Sequence, residues 1–123
     1  MWLTLRLRDV DLMTTWLAAI GFVPHAEYRD DAGDLVHGEY LWPRGGGVMV
    51  GGLGESAEWP QDAGAGAAYL VVGDVDRIHA AALDAGATSL RAPMDEDYGG
   101  RGAAVRDPEG NLWSFGTYRP VGG

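Results

Sequence analysis

"RDPEGNLWSFGTY" (residues 106–118) joins a turn sequence to an apolar run. Within its DPEGN portion, Pro108 presets φ for a turn and Gly110 can adopt a positive φ. The residues that follow, LWSFGTY (112–118), are typical of a strand in which alternate side chains face opposite sides. The stretch therefore predicts a hairpin whose tight turn leads into the last strand of the chain.

The same pattern occurs earlier in the chain at a constant offset. RDVDL at 8–12 returns as GDVDR at 73–77, an offset of 65 residues. That offset also places PRG (43–45) on PEG (108–110). Because helix starts, helix ends and turns stay in register, we interpret the chain as two copies of one supersecondary unit. Units of this length exceed a solenoid repeat, so they are duplicated half-domains.

Each copy reads as a strand, a helix and three further strands. The helices are predicted to begin at Asp9 or Asp11 and at Asp74, whose carboxylates can cap backbone N–H groups, and to end at Gly21 and Gly86. The sequence thus predicts an α+β fold of two βαβββ modules within a single domain. The strands are expected at 2–8, 22–29, 35–42, 47–52, 67–72, 87–92, 102–107 and 112–118.

The boundaries of the modules follow from these elements. Module one covers about 1–52 and module two about 67–118 of a single domain that spans 1–123. The linker between them, about 53–66, is polar and rich in Gly and Ala. That composition predicts a surface loop.

The composition limits the class of protein. The chain has 123 residues, of which 46% are hydrophobic, and this suits a folded domain. Its net charge of −9 argues against nucleic acid and anionic membrane as partners, since both attract basic surfaces. It has no cysteine, which excludes disulfides and thiolate chemistry. No segment resembles a membrane span or a secretory signal, so a cytoplasmic location is expected.

Two βαβββ units with a DPEG turn before the last strand resemble the vicinal oxygen chelate superfamily, the glyoxalase/bleomycin resistance protein/dioxygenase group. The most specific segments are VVGDVDRIHAAALDAGA (71–87) and YGGRGAAVRDPEGNLWSFGTY (98–118). The resemblance implies an open, curved sheet around a cavity, helices on the outside, and a homodimer. It implies no particular reaction, because the fold hosts both metal enzymes and metal-free drug-binding proteins.

The resemblance also identifies where a metal would be held. The metal enzymes of this family draw His, Glu or Gln ligands from the first and fourth strands of each module. Here those positions are Trp2, Met49 (or Val50 after a slip of one residue), Ala67 and Ser114. A transition metal needs several strong nitrogen or oxygen donors, which these side chains do not supply. The expectation is therefore that the protein has no metal ion and no other cofactor.

The predicted inner faces suit a flat apolar ligand. Their side chains combine aromatic rings for stacking with a hydroxyl or guanidinium group that fixes orientation. Trp59, in the linker, either covers the cavity or packs at a dimer interface, since an exposed Trp is costly. The alternative is that Trp2 and Tyr69 simply fill an unused cavity. The candidate ligand-binding residues are Trp2, Thr4, Arg6, Met49, Trp59, Tyr69 and Ser114.

The candidate catalytic residues are His37 and Glu39. They lie two apart on a predicted strand and so share a face, where they can form an acid/base pair or an unusual metal site. The alternative is a solvated strand face without catalysis. His79 is expected on the exposed, polar side of the second helix.

Three functions remain open at this point. The first is a metal-independent protein that binds a small hydrophobic or aromatic molecule, such as an antibiotic, and sequesters it. The second is an enzyme, a glyoxalase-like lyase or isomerase or a dioxygenase-related protein, whose metal site is relocated or absent. The third is a dimeric structural or regulatory module with a vestigial cavity. The missing metal ligands favour the first.

The lack of donors at the family's metal positions leads to a prediction about metal content. Purified protein is expected to carry no stoichiometric divalent transition metal, because Trp2, Met49, Ala67 and Ser114 cannot hold one. Elemental analysis measures this directly. Treatment with a chelator is expected to leave the circular dichroism spectrum and the melting temperature unchanged. About one tightly held metal per chain would contradict the prediction and favour the enzyme.

Overall fold

The computed structural model describes residues 1–52 and 60–120. Its elements form two four-stranded mixed sheets, ordered β1-β4-β3-β2 and β5-β8-β7-β6, with one helix after the first strand of each. The predicted α+β fold of two βαβββ modules is confirmed. The elements are β1 (Trp2–Leu7), α1 (Val10–Ile20), β2 (Val23–Arg29), β3 (Leu35–Leu41), β4 (Gly47–Gly52), β5 (Ala67–Val71), α2 (Val75–Asp84), β6 (Thr88–Asp95), β7 (Arg101–Arg106) and β8 (Leu112–Gly116).

The two modules repeat each other in strand register. Trp2 pairs with Gly47 in the first sheet, and Ala67 pairs with Leu112 in the second, so that both partners are displaced by 65 residues. The antiparallel pairs of β3 with β4 reappear between β7 and β8 at the same displacement. The pairs between β6 and β7 match those between β2 and β3 at this displacement as far as Arg91, and from Met94 onward they differ by one residue. β6 runs through Asp95 and is therefore longer than the sequence pattern indicated.

Both helices begin at the predicted aspartates. The Asp9 carboxylate accepts a hydrogen bond from Leu12 N at 3.0 Å, and the Asp74 carboxylate accepts one from Arg77 N at 3.1 Å. These bonds satisfy N–H groups that have no partner within the helix. Gly21 follows α1 with a φ of 121°, a left-handed conformation that glycine adopts without strain. Among the described residues, no helix is long and apolar enough to cross a membrane.

A single hydrophobic core joins the modules. Trp16 of α1 packs against Trp113 of β8 with ring centroids 5.5 Å apart, and Phe22 lies 5.8 Å from the same indole. The Trp16 indole N–H donates to the carbonyl of Ala82 in α2 at 3.1 Å. The core-facing aromatic residues thus connect the first module to the second rather than stabilising each module by itself.

The DPEG turn is organised by one buried carboxylate. Asp107 is only 4% exposed, and its Oδ1 accepts hydrogen bonds from the backbone N–H groups of residues 109, 110 and 111. Its Oδ2 accepts from Asn111 Nδ2 and from Trp113 Nε1, each at 2.9 Å. Because buried carboxylates need such partners, the turn and the core indole are fixed together.

The next acidic residue of the turn reaches the other module. Glu109 Oε1 accepts a hydrogen bond from Arg8 N and Oε2 accepts one from Asp9 N, both at 2.7 Å. These amides lie at the start of α1, where the partial positive charge of the helix terminus favours an anion. Glu109 therefore fastens the second module to the first.

One expectation from the sequence is wrong. His79 is buried rather than exposed, with its Nε2 2.8 Å from Ser89 Oγ, because α2 packs against β6 on that side. Trp42 is buried as well, and its ring lies in the core, 4.9 Å from that of Phe22. Its indole N–H donates to Val71 O at 3.1 Å, across the module boundary.

The contact of Glu109 with the start of α1 leads to a stability prediction. Glu109→Gln replaces a carboxylate that accepts from two amides by a group with only one acceptor. We expect a loss of about 1–2 kcal/mol in the free energy of unfolding, typical of hydrogen bonds to charged groups. Urea unfolding at constant m-value measures this. The control is Asp31→Asn, on an exposed turn, which should change stability by less than about 0.5 kcal/mol. Equal stability of the two variants would contradict the role of Glu109.

Candidate functional site

Side chains alternate between a core face and an open face on each sheet. On β8, Trp113 and Phe115 are buried in the core, whereas Leu112 and Ser114 lie on the opposite, open face. On β1, Leu5 belongs to the core, and the side chains before and after it belong to the open face. The open faces are where a ligand or a second chain can make contact.

A cavity lies between the two modules, at the N-terminal ends of β1 and β5. It has a volume of about 770 Å³ and is lined mainly by apolar side chains. Trp2 and Tyr69 both line it, each more than one third exposed. The structure thus brings two of the predicted ligand-binding aromatics, from equivalent strands of different modules, to one cavity. Its volume falls in the range of small-molecule sites.

Glycines shape the face on which Tyr69 lies. A β-carbon at Gly116 would overlap the Tyr69 hydroxyl and lie 2.9 Å from Cε1, so only glycine lets the ring lie flat on β8. The hydroxyl donates to Tyr118 O at 2.6 Å. Burial raises the pKa of Tyr69 above its ordinary value, and the neighbouring Tyr98, Tyr118 and Glu96 raise it further. The ring is therefore a neutral, well-positioned stacking surface at physiological pH.

An ion pair borders this face. Arg91 of β6 pairs with Glu96 through Nη2 and Oε1, and the Glu96 side chain is only 9% exposed. A β-carbon at Gly102 would lie 2.7 Å from Glu96 Oε1, so a second glycine makes room for the pair. The pair supplies fixed charges beside the Tyr69 ring.

In module one, the candidate catalytic pair forms a direct contact. His37 Nε2 lies 2.9 Å from Glu39 Oε2 on β3, and both side chains are partly exposed. The ring of Tyr28 lies 5.8 Å from the imidazole. Glu39 pairs with Met49 across β3 and β4, which places both on the open face. The arrangement can exchange a proton with a bound molecule, and it can equally remain a solvated surface pair.

The other predicted ligand-binding residues are dispersed. Thr4 lines a separate cavity of about 460 Å³ and donates to Gln61 Oε1 at 3.2 Å. The Arg6 guanidinium donates to Gly52 O at 3.1 Å. Met49 and Ser114 are half-buried on the open faces of β4 and β8. Trp59 lies outside the described residues.

The described residues do not assemble a recognisable metal centre. Across 1–52 and 60–120, no group of three or more His, Asp or Glu side chains is placed to hold an ion. Val50, the alternative ligand position, faces the core and is 2% exposed. The metal-content prediction thus remains for elemental analysis to test.

Sequence reasoning missed the surroundings of Tyr69. Tyr98 and Tyr118 pack edge to face with centroids 5.1 Å apart, and Glu96 is held beside them by Arg91. The composition of the segment that contains Glu96 and Tyr98, DEDYGGR (95–101), by itself indicates only an acidic loop. The available signal was the spacing of Gly102 and Gly116, small residues that face each other on β7 and β8.

Comparison with known proteins agrees with the fold. Residues 2–115 match the family model described as the Glyoxalase/Bleomycin resistance protein/Dioxygenase superfamily. No curated protein sequence matches. Among solved structures, TioX from Micromonospora sp. ML1 has 30% sequence identity and a TM-score of 0.79, over 97% of this chain and 98% of that chain.

More distant structures share the architecture alone. A bleomycin resistance determinant encoded on the transposon Tn5 has 18% identity and a TM-score of 0.64, over 98% of each chain. A glyoxalase/bleomycin resistance protein/dioxygenase family enzyme from Burkholderia phytofirmans PsJN has 17% identity and a TM-score of 0.69, over 94% of each chain.

The fit of Tyr69 over Gly116 leads to a prediction. Gly116→Ala should displace the ring and break its hydrogen bond to Tyr118, so that the pKa of Tyr69 falls toward its ordinary value of 10.0. Tyrosine ring NMR signals followed through alkaline pH measure this. The raised pKa also means that Tyr69 contributes stability below pH 10.0 that is lost as the pH rises through its folded-state pKa. Between pH 10.0 and the folded-state pKa of Tyr69 in the parent, the Gly116→Ala protein should therefore lose less stability than the parent protein.

A matched control exists at the equivalent position of module one. A β-carbon at Gly51 would lie 3.5 Å from its nearest neighbour, an ordinary contact. Gly51→Ala should therefore leave the Tyr69 titration unchanged. The same pKa of Tyr69 in both variants and the parent would show that Gly116 does not position the ring.

Proposed function

Because the chain belongs to the glyoxalase/bleomycin resistance protein/dioxygenase superfamily, we propose that it is a binding protein for a small, flat hydrophobic or aromatic molecule and needs no metal. The observation that carries this proposal is the mainly apolar cavity of about 770 Å³ that Trp2 and Tyr69 both line. Aromatic walls with few polar groups favour stacking over bond cleavage.

The biological role that we propose is sequestration of such a molecule, for example an antibiotic, in the cytoplasm. Support comes from the fold shared with the Tn5 bleomycin resistance determinant and from the poor donors at the family's metal positions. A ligand screen by native mass spectrometry tests this. Retention of flat aromatic compounds, but not of aliphatic compounds of equal mass, would support it.

We propose further that the protein is a homodimer. Both sheets leave apolar side chains on their open faces, among them Val23 and Leu41 in module one and Leu112 in module two. Apolar surface of this kind is usually covered by a ligand or by another subunit. A second copy would cover these faces and add walls to cavities that one chain leaves open.

The alternative function is catalysis by a glyoxalase-like lyase or isomerase. The observation that favours it is the 2.9 Å contact between His37 and Glu39, in which a carboxylate can orient an imidazole for proton transfer. Turnover of a ligand found in the screen, abolished by His37→Gln with binding retained, would establish it.

The cavity assignment leads to a prediction about affinity. Tyr69→Ala and Trp2→Ala should each weaken binding of an aromatic ligand by about 1–3 kcal/mol, the range for a buried aromatic anchor. Calorimetry measures the affinity, because removal of Trp2 also removes a fluorescent reporter. In the parent protein, ligand binding should quench tryptophan fluorescence.

The control for the affinity prediction is Leu12→Ala. Leu12 is an exposed apolar residue of α1 that lies outside the cavity lining. Its replacement should leave the affinity unchanged. Parent-like affinity in both aromatic variants would show that the ligand binds elsewhere.

The open faces lead to a prediction about assembly. Sedimentation should give about twice the chain mass of 13.1 kDa. Leu41→Glu and Leu112→Glu should shift the protein toward the monomer, because each places a charge on a covered apolar face. A monomer of the parent protein at high concentration would contradict the dimer.

A further inference from the structure

Glu96 opens the turn between β6 and β7. Its backbone N–H donates to Gly100 O at 2.8 Å, and its carbonyl accepts from Gly99 N at 3.0 Å. Asp30 opens the corresponding turn of module one with the same backbone bonds, and its carboxylate also accepts from two amides of that turn. In the described residues, the Glu96 carboxylate makes no such bond, and its side chain is only 9% exposed. Stabilisation of the turn therefore does not account for this carboxylate.

Glu96 also lacks the partners that the buried carboxylate of the DPEG turn has. Asp107 accepts three hydrogen bonds from backbone amides and two from side chains. Across 1–52 and 60–120, Glu96 has an ion pair with Arg91, and its Oε1 is buried without a hydrogen bond. Since an ionised carboxylate has about four acceptor positions, one contact leaves most of them unfilled. Unfilled acceptors on a buried charge are costly unless a group from outside the chain donates to them.

Two glycines place this carboxylate beside an aromatic ring. Gly102 of β7 and Gly116 of β8 are direct partners in the sheet. The Tyr69 hydroxyl occupies the space of a β-carbon at Gly116, and Glu96 Oε1 lies 2.7 Å from the β-carbon position of Gly102. The acceptor and the ring thus cover neighbouring positions of one open face.

Two further tyrosines extend the aromatic surface. Tyr98 and Tyr118 pack edge to face, and the backbone carbonyl of Tyr118 accepts from the Tyr69 hydroxyl at 2.6 Å. All three tyrosines are exposed, which marks a surface that a ligand can cover. Glu96, Tyr98 and Tyr118 are not among the residues that line the cavity of Trp2 and Tyr69. This surface therefore meets that cavity at Tyr69 and extends beyond it.

Module one folds in the same way without this cluster. Thr4 stands at the position of Tyr69, and Ala26 stands at the position of Arg91. The βαβββ architecture thus requires neither the ring nor the ion pair. A role in binding accounts for them better than a role in folding.

We propose that Glu96 is a specificity-determining residue, whose Oε2 accepts a hydrogen bond from an N–H group at the edge of a flat aromatic molecule stacked on Tyr69. This inference rests on the proposed function and names the chemical class of its ligand: aromatic compounds that carry an amino group or a protonated ring nitrogen. Arg91 holds Oε1 of the carboxylate and leaves Oε2 for the ligand. A positive charge on the ligand nitrogen strengthens the bond, and the faces of the tyrosine rings attract cations as well.

The experiment compares two quinolines of nearly the same shape, which carry either an amino group or a methyl group on the carbon beside the ring nitrogen. Calorimetry with the full-length protein should show about tenfold or tighter binding of the aminoquinoline, because the methyl group leaves the Glu96 acceptor unpaired. Without that hydrogen bond, the more apolar methylquinoline would bind at least as well. In ¹³C-labelled protein, the carboxyl signal of Glu96 should shift saturably with the aminoquinoline.

The decisive variant is Glu96→Gln, which keeps the side-chain length and removes the charged acceptor. The preference for the aminoquinoline should fall to about threefold or less. Asp97→Asn removes one negative charge from an exposed position of the same turn and should retain the preference of the parent. Circular dichroism melting curves show that both variants are folded at the temperature of the titration.

Equal affinity of the parent for the two quinolines, or an unchanged Glu96 carboxyl signal, would overturn the inference and leave the aromatic cavity as the binding site. Retention of the preference by Glu96→Gln would overturn it as well. Failure of the proposed cavity shows differently: Trp2→Ala would then leave both affinities unchanged, whereas a ligand in the cavity should lose affinity by the same factor for both compounds. Binding of neither quinoline to the parent would contradict both proposals.

Discussion

The buried carboxylate of Asp107 is the interaction on which the rest of the structure depends. It holds the turn before β8 through three backbone N–H groups and holds Trp113 through the indole nitrogen. Trp113 then packs against Trp16 and Phe22 of the other module. A charge that is 4% exposed requires these partners, so the hairpin, the core and the contact between modules are mutually dependent.

Duplication followed by divergence accounts for the asymmetry between the modules. Trp42 stands where the second copy has Asp107, so the first β3–β4 turn is held by packing and by the indole bond to Val71 O. Arg44 stands where the second copy has Glu109. One copy of the turn thus fastens a helix start through a carboxylate, and the other places a guanidinium beside one. The same backbone carries different chemistry because the backbone amides are common to both copies and the side chains are not.

The open face of β7 and β8 beside Tyr69 depends on small residues more than on reactive ones. Gly116 and Gly102 allow Tyr69 and the Arg91–Glu96 pair to lie close to β8 and β7. Because these glycines have no side chains, the Tyr69 ring forms an apolar surface with the charged groups of the Arg91–Glu96 pair at its edge. Such a surface suits recognition of a flat molecule. His37 and Glu39 lie on the open face of β3 and are not among the residues that line the cavity of Trp2 and Tyr69.

The sequence by itself determined the α+β fold, the two βαβββ units and the capped helix starts. These follow from local signals: Asp9 and Asp74 as caps, Gly21 as a helix end, and a turn residue pattern repeated at one offset. Only the tertiary structure decided that His79 and Trp42 are buried and that Glu109 binds the start of α1. Those contacts join residues far apart in the chain, and a periodic pattern shows which face a side chain occupies but not what the opposite element places against it.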